Sequence, residues 1–259
     1  MKKNIPIVIV AFGTTTEALT TYAFMDSVFR NRFESNQIFW AYSSRMVKDW
    51  IKKRKGIDLR HPHEVLNDLV SRGHEWAVVQ SLHLLCGHEF YRMVEEVRQI
   101  PLRTSIGLPL LSTPQDYQEV ARALKPLTIG EPDTANVLVG HGTDHPSWAS
   151  YLALESTFQG LGGKNIFIAA VEGAPSMKEV VIKVCRAGFT KVQLIPLMLV
   201  AGTHFFEDLA GADNSLKQAF ESRGLKVSVV DRGIGYQVEV VEVFCRHIKE
   251  ALEAVGEPT

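Results

Sequence analysis

Residues 136–143 read NVLVGHGT, and residues 7–14 read IVIVAFGT. Each stretch is an apolar run that ends in a glycine turn, and His141 in the later copy stands where the earlier copy has Phe12. A short apolar run bounded by glycine is typical of a buried strand in a parallel sheet. The two copies therefore predict two similar α/β halves within one chain.

A second pair of stretches repeats in the same order. Residues 81–90 read SLHLLCGHEF and align with PLMLVAGTHF at residues 196–205, which sets Glu89 opposite His204. The later copy again carries the histidine at the matched position. The chain thus predicts a duplicated fold in which side chains suited to a metal are concentrated in the second half.

Strand-like and helix-like segments alternate along the chain, which predicts βαβ units and parallel sheets flanked by helices. We expect strands at residues 5–12, 37–42, 76–82, 104–106, 137–140, 165–170, 191–199 and 226–230. We expect helices at residues 17–32, 47–55, 62–72, 89–99, 114–124, 148–159, 176–187, 215–222 and 238–255. Two prolines and a glycine between residues 125 and 133 predict a domain boundary. The predicted lobes are residues 1–128 and 129–259, and the C-terminal helix is allowed to pack back on the first lobe.

The composition is that of an ordinary globular protein, with 46% hydrophobic and 22% charged residues among 259. A formal net charge of −1 gives no field suited to nucleic acid or to an anionic membrane. Three cysteines without CxxC spacing predict small buried side chains in a reducing compartment. No run approaches the ~20 apolar residues that span a bilayer, and the N-terminus lacks a secretory pattern, so we expect a cytoplasmic protein. The sequence leaves self-association into a homo-oligomer open.

Three side chains that can bind metals fall at or just after predicted strand ends in the second half. His141, Glu172 and His204 lie about one βα unit apart, so they converge if their strands are neighbours. Two imidazoles and one carboxylate suit a first-row divalent metal with open coordination positions. Without thiolates the metal is held less permanently, which fits a site that must give its metal away.

The same residues have simpler interpretations. A histidine beside glycine at a strand end is often a turn or core residue, and Glu172 could place charge at the start of the following helix. His141 and His145 have the i, i+4 spacing of a helical zinc pair, but Gly142 and Pro146 argue against a helix there. The internal repeat favours a functional role, because the earlier copy shows that the fold does not require histidine.

Other side chains are candidates for binding an anionic ligand. Thr14 lies just before the predicted helix 17–32, and its hydroxyl and the backbone N–H groups at that helix start could bind a carboxylate. Arg45 follows another predicted strand end and offers a guanidinium for the same purpose, and an exposed helix start explains it equally well. His83 is interpreted as a strand residue and His88 as a loop residue, and a ligand role for each is left open.

With these residues in this order, the chain resembles the anaerobic sirohydrochlorin cobaltochelatases, a branch of the class II chelatases. The similarity covers nearly the whole chain and runs through AFGT (11–14), SLH (81–83), GHGT (140–143), VEG (171–173) and PLMLVAGTHF (196–205). It implies two α/β lobes with a tetrapyrrole in the cleft between them. It also implies that His141, Glu172 and His204 hold the divalent metal, with Glu89 as a supporting acid or base. His88 and the turn before it depart from the usual pattern and put the role of that loop in doubt.

The resemblance implies insertion of Co²⁺ into sirohydrochlorin in anaerobic cobalamin biosynthesis, without a nucleotide. We expect Thr14, Arg45 and His83 to bind the tetrapyrrole. Two ring N–H protons must leave as the metal enters, and His204 or His141 is a suitable acceptor once it has released the metal. The alternatives are Fe²⁺ insertion into this or another tetrapyrrole, a non-catalytic metal or tetrapyrrole carrier, and a periplasmic-type binding protein. The missing signal pattern and the His/Glu set count against the last of these.

Overall fold

The structure of the protein, a computed structural model, describes residues 5–13, 19–44, 59–211 and 215–255. For Leu19, Thr203 and His204 it describes the backbone alone. Within these described residues, eight strands form two four-stranded parallel sheets, and helices follow or connect them. The predicted fold class, two parallel sheets flanked by helices, is confirmed. None of the described helices has the length and apolar character needed to span a bilayer.

The first sheet has the strand order β2-β1-β3-β4. Its elements are β1 (Ile7–Ala11), α1 (Leu19–Arg32), β2 (Ile38–Tyr42), α2 (Pro62–Ser71), β3 (Trp76–Ser81), α3 (His88–Arg98) and β4 (Arg103–Gly107). All five residues of β1 are buried, and alternate residues Val8 and Val10 pack against α2 and α3. Because successive strand residues face opposite sides, both faces of this sheet are covered.

The second sheet has the matching order β6-β5-β7-β8. Its elements are α4 (Pro114–Leu124), β5 (Thr134–Thr143), α5 (Ala149–Gly160), β6 (Ile166–Gly173), α6 (Met177–Arg186), β7 (Lys191–Pro196), α7 (Thr203–Ala210), α8 (Leu216–Glu221) and β8 (Lys226–Val229), followed by α9 (Val238–Ala254). In each sheet the first strand lies between the second and the third. The sequence repeat is therefore a repeat of strand topology.

The chain groups into two compact units, Met1–Ser112 with Val241–Thr259, and Thr113–Val240. Helix α4 belongs to the second unit, where it contacts α5, whereas the sequence pattern places the boundary at residue 128. Most of α9 belongs to the first unit. There the Arg32 guanidinium pairs with Glu242 at 2.7 Å, and Nδ1 of His247 lies 2.9 Å from the carbonyl oxygen of Leu108.

Each of the eight predicted strands is present, but β5 and β6 end three residues later than predicted and β7 ends three residues earlier. β5 and β6 continue to Thr143 and Gly173, instead of ending at 140 and 170. Helix α7 was absent from the predicted elements, and the predicted helix 47–55 lies outside the described residues. α7 has only eight residues and no side-chain cap at its start, so it lacks the usual sequence signals of a helix.

A buried carboxylate closes the outer edge of β6. β6 is an edge strand of its sheet, so on its outer side its N–H groups face no other strand among the described residues. Glu155 on α5 is buried and accepts a hydrogen bond from the N–H of Ile168 at 2.7 Å, and it also pairs with Lys183. This contact ties α5 to the sheet.

We expect Glu155→Ala to lower the free energy of unfolding by about 2 kcal/mol, because it leaves a buried N–H without an acceptor. Urea denaturation would measure the change. Glu253→Ala, which removes an exposed pair with Lys249 at 3.9 Å, is the matched control and should have little effect. Equal losses in the two variants would contradict this role of Glu155.

Candidate functional site

The carboxyl ends of β5 and β6 lie side by side in the second sheet. Gly142 pairs with Glu172, and Thr143 pairs with Gly173, in parallel register. Adjacent strands are about 4.8 Å apart, so His141 and Glu172 are neighbours along this edge. Both residues are exposed, and neither side chain has a hydrogen-bond or ion-pair partner among the described residues. His141 and Glu172 are among the last residues of their strands, whereas the sequence predicts them just after the strand ends.

The third predicted ligand follows β7, the other neighbour of β5. β7 ends at Pro196, and the N–H of Leu197 still donates to the carbonyl oxygen of Val139 at 2.7 Å. His204, of which the backbone is described, is the second residue of α7. This helix follows the carboxyl end of β7 in the chain. Among the side chains that the structure describes, which exclude that of His204, no three His, Cys, Asp or Glu residues are close enough to hold a metal ion.

Close contacts require both glycines that flank His141. A Cβ atom at Gly142 would lie 1.7 Å from the carbonyl oxygen of Glu172, and Gly142 has a φ of +96°. A Cβ atom at Gly140 would lie 2.7 Å from the ring of Tyr151. No side chain fits at residue 140 or 142, so the backbone conformation that exposes the His141 imidazole requires glycine on both sides.

Tyr151, on helix α5, contacts the backbone on both sides of His141. Its ring is buried over Gly140, and its hydroxyl accepts a hydrogen bond from the N–H of Gly142 at 3.2 Å. Burial raises the pKa of Tyr151 above its usual value, so the phenol is neutral at ordinary pH. Tyr151 was not among the predicted site residues, because its partner is a backbone group.

The first unit contains the same contact. Gly13 has a φ of +101°, and its backbone forms a hydrogen bond with the buried hydroxyl of Tyr22 on α1. Tyr22 follows Gly13 by the same number of residues as Tyr151 follows Gly142. This shared spacing is the sequence signal that could have revealed both tyrosines.

Matching hydrogen bonds extend the correspondence to the neighbouring strands. The N–H of Leu82 donates to Val10 at 2.8 Å, as the N–H of Leu197 donates to Val139. Glu89 is the second residue of α3, as His204 is of α7. The strand registers of the two sheets match in the same way. The first unit therefore has Phe12, Ser44 and Glu89 at the positions of His141, Glu172 and His204.

Glu89 and His83 lie close to one guanidinium in the first unit. Glu89 pairs with Arg92 one turn further along α3. His83 follows β3, which ends at Ser81, so it is not the strand residue that the sequence predicts. Its Nδ1 lies 2.7 Å from Oγ of Ser81, and its buried Nε2 has no hydrogen-bond partner among the described residues. Burial, and to a lesser extent Arg92, lower the pKa of His83 to about 4.

The remaining candidates have separate outcomes. Thr14 and Arg45 lie outside the described residues, so their predicted binding of carboxylates stays a prediction. His88, predicted in a loop, is the first residue of α3. His145 caps a 3-10 turn, because its Nδ1 accepts the N–H of Ser147 at 3.1 Å, and residues 141–145 form no helix.

The simpler role for Glu172 is filled by other residues. Helix α6 begins after Ser176, whose Oγ accepts the N–H of Glu179 at 3.3 Å. Glu179 is the acidic residue of its first turn, and hydrogen bonds from Ser176 lower the pKa of this carboxyl. Glu172 lies in β6 and is not needed at this helix start.

We expect Gly142→Ala to lower the free energy of unfolding by more than about 3 kcal/mol, because it adds a collision with the Glu172 carbonyl to left-handed strain. Gly188→Ala is the matched control, since Gly188 has a φ of +81° but open space around it. It should cost only the strain, about 1 kcal/mol. Urea denaturation of both variants measures the difference, and equal losses would contradict the close approach of the two strands.

We expect the free energy of unfolding to fall as the pH is lowered from 6.5 to about 4, in part because of His83. In this window the unfolded histidine binds a proton and the buried one does not, so acid favours the unfolded chain. The lowered pKa corresponds to a loss of up to about 3 kcal/mol. His83→Gln should make the pH dependence shallower in urea denaturation. An unchanged slope would contradict a buried neutral imidazole.

Solved structures include proteins with the same fold as this chain. The sirohydrochlorin chelatase SirB from Bacillus subtilis subspecies spizizenii, in complex with cobalt, has a similar fold with a TM-score of 0.68. The alignment covers 98% of this chain and 97% of that chain at 18% identity, so it establishes the fold alone.

Family comparison is more specific. The chain belongs to the cobalt chelatase (CbiK) family, whose model matches residues 5–253. It is 33% identical over 227 residues to the protein named sirohydrochlorin cobaltochelatase in Salmonella typhimurium, covering 85% of each. It is also 29% identical over 263 residues to sirohydrochlorin cobaltochelatase CbiKC of Nitratidesulfovibrio vulgaris, covering 97% of this chain and 92% of that protein. The resemblance is confirmed, and the chain is a metal chelatase.

Proposed function

We propose that this chain inserts Co²⁺ into sirohydrochlorin in anaerobic cobalamin biosynthesis. The family and the two relatives named sirohydrochlorin cobaltochelatase support this reaction. The observation that carries the proposal is the carboxyl edge of the second sheet. There His141 and Glu172 are exposed on paired strands, and the first unit has Phe12 and Ser44 instead.

His141, Glu172 and His204 are proposed to hold the incoming metal ion. Two imidazoles and one carboxylate are ligands of intermediate softness, which suit Co²⁺ and leave coordination positions open. The absence of a thiolate from this set favours exchange, since the ion has to pass from the protein to the ring nitrogens. Holding the ion beside the macrocycle replaces a bimolecular encounter with a local transfer.

The two protons displaced from the ring nitrogens require an acceptor. An imidazole that has just released the metal is suited to this, which makes His141 or His204 the proposed base. Glu89 is proposed as a supporting acid or base. It stands at the helix position that His204 has in the second unit, and its carboxylate is half-exposed next to Arg92.

Sirohydrochlorin carries carboxylate side chains, which need partners on the protein. Thr14 and Arg45 are proposed partners on the grounds of their residue types alone. His83 is the third, and it has structural support because its buried Nε2 lacks a partner among the described residues. A substrate carboxylate next to this nitrogen would favour the protonated imidazole and offset the cost of burying it.

We expect a His141→Ala/His204→Ala variant to lose at least about two orders of magnitude in the rate of anaerobic Co²⁺ insertion, because the ion is no longer held beside the ring. Absorbance of the metallated tetrapyrrole measures the rate. His74→Ala, in the turn after α2, is the histidine control. An unchanged rate in the double variant would overturn the proposed ligand set.

The same assay distinguishes the alternatives. The proposed ligands also accept Fe²⁺, so parallel reactions with Fe²⁺ determine which metal is preferred. A faster reaction with Fe²⁺ would favour ferrochelation instead. Insertion no faster than in the absence of protein would leave a metal or tetrapyrrole carrier.

A further inference from the structure

The geometry points to Tyr151 as a positioning residue of the metal site. We propose that its hydroxyl, by accepting the N–H of Gly142, fixes the strand end that presents His141 to the incoming metal. The inference rests on the proposed function, since it takes His141 to be a metal ligand. Tyr151 itself does not touch the metal or the tetrapyrrole in this proposal.

The strand end benefits from such a contact because, among the described residues, only one neighbouring strand still pairs with it. His141 lies between two glycines, which have the greatest backbone freedom of any residue, and its imidazole has no partner among the described residues. The ladder between β5 and β7 ends at Val139 and Pro196. Beyond that point, within the part of the chain that the structure describes, β5 pairs only with β6.

Tyr151 supplies a second restraint in two ways. Its buried ring packs so closely over Gly140 that a Cβ atom there would lie 2.7 Å from it. Its hydroxyl accepts the N–H of Gly142 at 3.2 Å, on the far side of His141. The two contacts bracket the histidine, so the direction in which its Cβ leaves the backbone depends on Tyr151.

A purely structural role is the competing explanation, and the first unit allows the two to be separated. Tyr22 is buried and forms the same kind of hydrogen bond with Gly13, which is also in a left-handed conformation. Phe12 stands there in place of the histidine. If the tyrosines only stabilise the fold, removing either hydroxyl should change Co²⁺ binding to a similar extent. If Tyr151 positions His141, only the loss of the Tyr151 hydroxyl should weaken Co²⁺ binding.

The test compares Tyr151→Phe with Tyr22→Phe in the full chain. Each variant removes one hydroxyl and keeps the ring, so both are expected to fold. Co²⁺ is titrated anaerobically without tetrapyrrole, and its visible d–d absorption reports both affinity and coordination geometry. Loss of a contact that orients a ligand typically weakens metal binding by about 10- to 100-fold. We expect a loss of about tenfold and an altered spectrum in Tyr151→Phe, and wild-type binding in Tyr22→Phe.

Wild-type affinity and spectrum in Tyr151→Phe would overturn the inference. So would an equal loss of Co²⁺ affinity in Tyr22→Phe, which would assign the effect to the stability of the fold. His141→Ala, titrated in parallel, separates this inference from the proposed function. If His141→Ala abolishes the Co²⁺ spectrum and Tyr151→Phe does not change it, only the positioning role fails. If His141→Ala binds Co²⁺ normally, the ligand set and the positioning role both fail.

Discussion

The backbone of Gly142 passes so close to the carbonyl group of Glu172 that no side chain fits between them. This contact fixes the separation of two parallel strands at the point where their exposed side chains emerge. Their spacing therefore comes from main-chain hydrogen bonds, which are more rigid than contacts between long side chains. The histidine and the carboxylate proposed to bind the metal inherit this rigidity, although neither is held by a contact of its own among the described residues.

The same frame is built twice, and only its side chains differ. Each unit has an interior strand with a buried core, a glycine with positive φ at or just beyond the end of that strand, and a tyrosine that binds the glycine backbone. These parts are contributed by buried or backbone groups, so the exposed side chains at the strand ends carry little of the stability. Phe12 can therefore stand in one copy and His141 in the other without a change of fold. The chemistry of the site is separate from the energetics that form it.

Because the fold and the site chemistry depend on different residues, they can be predicted from the sequence to different extents. The strands are predictable because runs such as that of β1 are buried on both faces. The ends of β5 and β6 are not, because Gly140 and Gly173 have the pattern of turns although they continue the ladder. The exposed pair His141 and Glu172 follows from topology, since the carboxyl ends of parallel strands share one edge. Tyr151 leaves no trace in the pattern of ionisable side chains, because its partner is an N–H group.

A chelatase has to change the protonation of its site while keeping its geometry. Two protons leave the ring as the metal enters, and the imidazoles proposed to accept them change charge in each cycle. The contact that orients His141 does not take part in this exchange, because burial raises the pKa of Tyr151 and keeps the phenol neutral. The N–H of Gly142 has no titration at all. A neutral hydrogen bond between a buried phenol and a backbone amide therefore suits a strand end whose histidine is proposed to gain and lose protons and metal.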